Sequence, residues 1–198
     1  MGNAVHEIEF KHPRAFAMAH ACLANKKDPR AYLHYLLLDL ETRTLVGTDG
    51  HRLVEARDAF DQEFHGEGHR CEAAGRYLIR PAKAVPTKTQ RLTLDLEAGT
   101  LTAMSSRRVL TTIPVEITDE QHIGNFPKYQ RVLPDIGKEQ VAVEEIGLDF
   151  SQVFPVLKAA GTPIGKMIFC GDQRSVVVVP ADEGLHESVT FIVMPMRI

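Results

Sequence analysis

AYLHYLLLDLETRTLVGTDGHRLVEAR (Ala31–Arg57) decides the fold. Residues 31–40 are β-rich and mostly apolar and read as a central strand. Glu41-Thr42-Arg43 turns the chain into Thr44–Gly47, Thr48-Asp49-Gly50 is a second turn signal, and His51–Arg57 reads as a further strand. Upstream, Val5–Phe10 alternates as a short strand, and Pro13 opens a helical stripe carrying Phe16, Ala19, His20 and Leu23. The order is β-α-β-β-β.

The same order returns twice. In the second unit Tyr77–Arg80 reads as a strand and Pro81 starts a short helix. Arg91–Gly99 alternates strictly into a glycine turn, and Leu101–Met104 and Val109–Val115 follow. In the third, Val141–Leu148 is a strand and Asp149–Ala160 a helix ended by Gly161. Lys166–Cys170, Ser175–Val179 and Val189–Met194 complete it. A spacing of about 60–70 residues exceeds solenoid periods and fits a duplicated half-domain. Pro86 and Pro155 shorten or kink their helices, so sheets dominate. The class is α+β, with short helices on antiparallel sheets. Residues 59–75 (AFDQEFHGEGHRCEAAG) are polar, Gly-rich and long for a connection, an exposed loop inserted between the first two units.

The chain has 198 residues, 23 basic and 26 acidic side chains and a formal charge of −3, which excludes a uniformly basic surface but not a local basic face. With 44% hydrophobic residues it can bury a sizeable core. Its apolar runs stay far below the about 20 residues that a membrane span needs. MGNAVHEIEF lacks the basic start and apolar stretch of a secretory signal. Cys22, Cys71 and Cys170 are odd in number and widely spaced, which argues for a reducing compartment, and the expected location is cytoplasmic.

Three segments carry a resemblance: GTDGHRLVEAR (Gly47–Arg57), NFPKYQRVLPD (Asn125–Asp135) and FIVMPMRI (Phe191–Ile198). In this order they resemble the bacterial sliding clamp, the β subunit of DNA polymerase III. The resemblance implies a DNA-clamp fold built from repeated βαβββ half-domain units. Residues 1–137 look like a complete clamp domain of two units, and 138–198 like the second half of a further domain. A clamp chain is similar to six such units, and two chains close a ring of twelve. Three units would then need four copies, so a homo-oligomer is expected, a tetramer by this arithmetic.

Two chemistries follow from the resemblance. The first is a peptide-binding pocket for short motifs of a DNA polymerase, a clamp loader or other proteins. On matching positions its lining is Tyr32, Leu33, Thr48, Gly50, His51, Arg52, Leu53, Pro127, Arg131, Val132, Ile192, Val193, Met194, Pro195, Met196, Arg197 and Ile198. Leucine, valine and methionine side chains supply adaptable apolar walls, and Arg52, Arg131 and Arg197 supply donors at the rim. Where clamps typically carry Asn-Gly after the Tyr-Leu pair, this chain has His34-Tyr35, so the pocket floor is expected to differ. The second chemistry is sequence-independent contact with the phosphates of double-stranded DNA. Its candidates are Lys11, Arg14, Lys26, Lys27 and Arg30 around the first helix, Arg80, Lys83 and Lys88 around the second, and Lys158 on the third.

Other chemistries compete weakly. His65, His69 and Cys71, with Glu63, Glu67 and Glu72 nearby, have a spacing that could ligate zinc but lack the paired ligands of a structural site. His51 beside Asp49 invites a catalytic reading, yet no nucleophile elbow, P-loop or dinucleotide fingerprint accompanies it. The expectation is a non-enzymatic protein without a cofactor: a processivity clamp around duplex DNA. The alternative is a clamp mimic, a decoy or adaptor that binds clamp-binding peptides without making a ring.

Overall fold

The computed structural model describes residues 7–61, 75–134, 145–170, 175–185 and 188–196. The first unit comprises β1 (Glu7–Phe10), α1 (Pro13–Ala21), β2 (Leu36–Asp39), β3 (Thr44–Thr48) and β4 (Arg52–Ala56), followed by the short β5 (Phe60–Asp61). The second comprises β6 (Arg76–Pro81), β7 (Arg91–Asp95), β8 (Thr100–Ser105) and β9 (Arg108–Thr118). A connecting segment holds α2 (Glu120–Ile123), and the third unit holds α3 (Phe150–Ala159), β10 (Gly165–Phe169), β11 (Val176–Pro180) and β12 (Val189–Val193).

All strands pair antiparallel in the order β10-β11-β12-β4-β3-β2-β6-β9-β8-β7-β1-β5. The first two units exchange their first strands: β1 pairs with β7 of the second unit, and β6 pairs with β2 of the first. The third unit joins through β12, which runs beside β4 from Val189↔Ala56 to Val193↔Arg52. β9, 11 residues long, pairs with β8 over most of its length and with β6 at its C-terminal end.

Burial explains the continuous apolar runs. Leu36 and Leu38 face a core beneath the helices, whereas Leu37 faces a second core on the outer side with Val46, Leu53, Leu78, Val177 and Ile192. A strand covered on both faces has no polar side to alternate. α1 sits hard on the sheet: a Cβ at Gly47 would lie 2.0 Å from the Ala19 carbonyl oxygen, so only glycine allows this approach. The outer core is closed by Ile123, Phe126, Tyr129 and Leu133 of the connecting segment. No helix among the described residues is long and apolar enough to cross a membrane.

Four sequence expectations change. The loop expected over 59–75 does not start at 59: Ala59 and Phe60 are buried and β5 pairs with β1, while 62–74 lie outside the described residues. The helix expected after Pro81 is absent, and 82–90 forms bends and turns in which Thr89 N–H and its hydroxyl both donate to the Pro86 carbonyl. The two prolines remove donors and hold this short stretch in turn geometry. Ala31–His34 is a 3-10 turn, so the central strand begins only at Leu36. Of the expected strand Val141–Leu148, residues 141–144 lie outside the described residues, and among 145–148 only Gly147 makes a bridge, to Met196. α3 forms as expected: Asp149 caps it by accepting from Ser151 N–H at 2.8 Å, Pro155 lies within it on the exposed side, and Gly161 leaves it at φ +80°.

Candidate functional site

The β3–β4 turn is locked from within. Asp49 Oδ1 accepts from the backbone N–H groups of His51 (2.9 Å) and Arg52 (3.0 Å), and the Thr48 hydroxyl donates to the Arg52 carbonyl at 2.7 Å. Gly50 takes φ +90°, which favours glycine. Arg52 then ties the turn to the third unit. Its Nε donates to Asp49 Oδ2 at 3.0 Å and one terminal nitrogen donates to the Gln152 carbonyl of α3 at 2.8 Å. β12 leaves the sheet beside the same turn, with Met194 N–H donating to the His51 carbonyl at 2.8 Å.

The connecting segment arrives from the other side. Asp119 caps α2, Glu120 accepts from Phe126 N–H at 2.8 Å, and Ser175 donates to the Val132 carbonyl at 3.0 Å. Beneath it lies a buried pair, Tyr129 on Glu55 of β4. Burial and then the Glu55 charge push the Tyr129 phenol up to about 12. Burial also raises the Glu55 carboxyl above its ordinary value, against the opposing pull of Arg57 and of the Tyr129 hydrogen bond.

These elements enclose a cleft of about 260 Å³. It is lined by Tyr32, Leu33, Thr48, Gly50, Arg52, Leu53, Pro127, Val132, Ile192 and Met194, all nominated from the sequence, and by Arg30, Lys128 and Tyr129, which were not nominated for it. Val132 and Met194 are 41% and 36% exposed, leaving apolar surface at the mouth. Val193 points to the opposite core, as strand alternation requires once Ile192 faces the cleft. His51 contributes its carbonyl, and Arg131 is exposed on the connecting segment; neither lines the cleft. Pro195 and Met196 continue past it, Met196 N–H donating to the Gly147 carbonyl at 2.8 Å. Arg197 and Ile198 lie outside the described residues.

Arg30 is the largest omission. Asp28 grips its guanidinium at 2.9 and 2.7 Å, and the guanidinium donates to the Asp49 carbonyl at 3.1 Å, against Gly50. The Asp28-Pro29-Arg30 spacing signals the local turn, but nothing in it points to a loop 19 residues on. Tyr129 sits inside the quoted NFPKYQRVLPD motif and lines the cleft together with its neighbours Pro127 and Lys128.

The nominated phosphate contacts divide. Lys11 pairs with Asp58 and Asp61, Arg14 with Asp182, Arg30 with Asp28 and Arg80 with Glu116. Lys26, Lys27, Lys83, Lys88 and Lys158 are exposed and make no ion pair among the described residues. Lys83 and Lys88 stand on the 82–90 segment rather than on a helix. The histidine, cysteine and glutamate residues weighed as zinc ligands fall in 62–74, outside the described residues, and the described residues contain no metal-ligating cluster. Cys22 is fully buried, and burial pushes its thiol up.

No protein-family model matches the chain, and no curated protein does. Solved structures do. A DNA polymerase sliding clamp from Pseudomonas aeruginosa superposes with a TM-score of 0.58 at 17% identity, covering 100% of this chain and 69% of that one. The Bacillus subtilis sliding clamp gives 0.59 at 10% identity, covering 100% and 66%. The DNA polymerase III beta subunit from Thermotoga maritima gives 0.57 at 15%, covering 100% and 67%. The chain has the fold of a bacterial sliding clamp. Identities this low speak to the fold, and the clamp fold brings the hairpin turn, the connecting segment and the end of β12 together.

Proposed function

We propose that the chain is a shortened sliding clamp that tethers motif-bearing proteins to duplex DNA through the cleft between the β3–β4 turn, the connecting segment and β12. The observation that supports this reading is the convergence of Tyr32, Leu33, Leu53, Pro127, Val132, Ile192 and Met194, distant in sequence, on one cleft. Its apolar walls suit two adjacent apolar side chains of a peptide, and Lys128 at the rim suits a neighbouring carboxylate. Methionine at the mouth adapts to more than one partner. Candidate partners are a DNA polymerase and a clamp loader.

In this reading copies of the chain, four by unit arithmetic, assemble into a ring. Lys26, Lys27, Lys83, Lys88 and Lys158 then carry the phosphate contacts, because their charges are uncommitted within the described residues. A domain division near 137/138, outside the described residues, is supported by the third unit's strands joining the rest only through β12 among the described residues. A mimic that binds peptides without a ring is the second reading. It is favoured by the neutralisation of Lys11, Arg14, Arg30 and Arg80 in ion pairs.

Retention on nicked circular DNA, compared with the same DNA linearised, tests the choice. A ring is retained on the circle and runs off the linear form. Equal loss from both, with peptide binding intact, leaves the mimic. Absence of binding by a labelled peptide carrying Leu-Phe beside Asp overturns both.

A further inference from the structure

The three units do not end alike. The outer edge of β2 is closed by β6, and that of β7 by β1, each the first strand of the other unit. β10 holds the corresponding place in the third unit, as the strand after the helix, and its outer edge has no strand partner among the described residues. The helix above it is equally uncovered. α3 buries Val153, Val156 and Leu157 on the sheet, yet Phe150 and Phe154 are 49% and 60% exposed, with stacked rings 5.7 Å apart. Helical spacing puts these two phenylalanines on the side of Leu157, which contacts the start of β10, and away from Pro155 and Ala159, which face α1. Ile164, at the entry to β10, is 66% exposed. An open strand edge beside a helix bearing exposed aromatic rings is costly to leave in water.

We infer that this face is covered by the same face of a second copy, β10 pairing antiparallel with its mate and α3 packing on α3 around Phe150 and Phe154. The inference rests on the reading of the chain as a clamp that assembles with its own copies, and names the surface. The face needs an edge strand and an apolar helix at once, and the third unit of a second copy supplies both. A two-fold axis normal to the sheet makes any edge strand antiparallel to its own copy and keeps both helices on one side. Charge argues against the stretch of β9 that β6 leaves unpaired. The free end of β9 is flanked by exposed Arg107 and Arg108, which would meet Lys166 of β10 with like charge. A self-pair centred on Met167 instead sets Lys166 opposite Ile168. Two chains joined this way complete the unpaired unit and present six units in one continuous sheet.

Light scattering and cysteine crosslinking test it together. Phe154→Arg changes a side chain that is exposed in the single chain, so its circular-dichroism spectrum should match wild type while its assembly mass falls by half. Lys166→Cys, Met167→Cys and Ile168→Cys, each in a Cys71→Ser background with Cys22 and Cys170 buried, scan the axis. One of the three should join a chain to its own copy under mild oxidation, because strand neighbours bring Cα atoms within disulfide reach. A wild-type mass of one chain at every concentration overturns this inference and the ring together. An assembly that survives Phe154→Arg, with crosslinks forming between Val109→Cys and Met167→Cys chains, overturns this inference and leaves a ring built on other edges. Halved mass with a same-position crosslink supports it, whatever the outcome on circular DNA.

Discussion

Two clefts of nearly equal size open on opposite sides of the sheet, about 260 Å³ on the outer side and about 240 Å³ on the helix side. The outer one is walled by segments held in place by turn hydrogen bonds, the Arg52 bridge and the Tyr129–Glu55 pair. The other lies among α1, α3 and residues 84–89, with Arg14, His20, Val85, Pro155 and Lys158 on its walls. It occupies the layer where the second unit, with Pro81 and Pro86 at this point, forms no helix. Equal volume therefore conceals unequal specification: one cleft is built by its walls, the other is left over by a missing element.

The largest expected effect is on the helix side. Gly47→Ala drives a methyl into the Ala19 backbone, which cannot swing aside as a side chain can. We expect a loss of about 3 kcal/mol in urea unfolding, the upper end for overpacking. A near-neutral result would mean that α1 is not fixed against β3, and the helix-side cleft would have no definite wall.

Arg52→Ala comes next. Its side chain is 11% exposed and that of Asp49 13%, so removal strands a mostly buried carboxylate and frees the Gln152 carbonyl. The expected cost is about 2–3 kcal/mol, and Arg52→Lys should not restore it because one ammonium cannot span both acceptors. Arg14→Ala, which loses an ion pair whose arginine is 55% exposed, should stay within about 0.5 kcal/mol. Equal losses for the two arginines would erase the distinction between a built and a left-over cleft.

Binding sharpens the same distinction. Met194→Glu places a charge at the mouth of the outer cleft and should weaken the labelled Leu-Phe peptide by at least about tenfold, or 1.4 kcal/mol. Lys158→Glu, on the wall of the helix-side cleft, should leave peptide affinity unchanged and reduce retention on DNA. Fluorescence anisotropy reads the first and circular-DNA retention the second. Peptide affinity lost with Lys158→Glu instead would put the peptide in the wrong cleft.

The contrast also explains what could be read from the sequence. Thr48-Asp49-Gly50-His51-Arg52 is legible because its hydrogen bonds close within five residues, so the motif contains its own geometry. Alternation marked β7, and the stop at Gly161 marked the end of α3. The helix expected at Pro81 failed where proline start chemistry was read without donors to continue it. Arg30 escaped because its partner, the Asp49 carbonyl, is set by how the sheet brings two loops together. Val193 was nominated beside Ile192 from a motif, although period-two alternation sends one of each such pair to the opposite face. Tertiary approach decided the Arg30 case; local proline chemistry and strand alternation decided the other two.

The smallest effect tests the outer cleft's floor through pH. Glu55 is 6% exposed, and burial raises its carboxyl above the ordinary 4.5, the opposing pull of Arg57 and Tyr129 being insufficient to reverse it. The folded state therefore holds this proton more tightly than the unfolded state does. Stability contributed here is greatest in acid, falls as pH rises from the ordinary carboxylate range through the raised folded value, and is flat above it. Glu55→Gln keeps an acceptor for the Tyr129 hydroxyl and removes the titration. Urea midpoints should thus converge between wild type and Glu55→Gln at the acid end and separate toward neutral pH, with the variant the more stable. Separation of the opposite sign would mean that the carboxylate is stabilised by Arg57 and Tyr129 beyond its burial cost, and that the connecting segment is held to β4 by charge. Parallel curves would mean that Glu55 is hydrated when the cleft is empty, so that the floor closes only over a peptide.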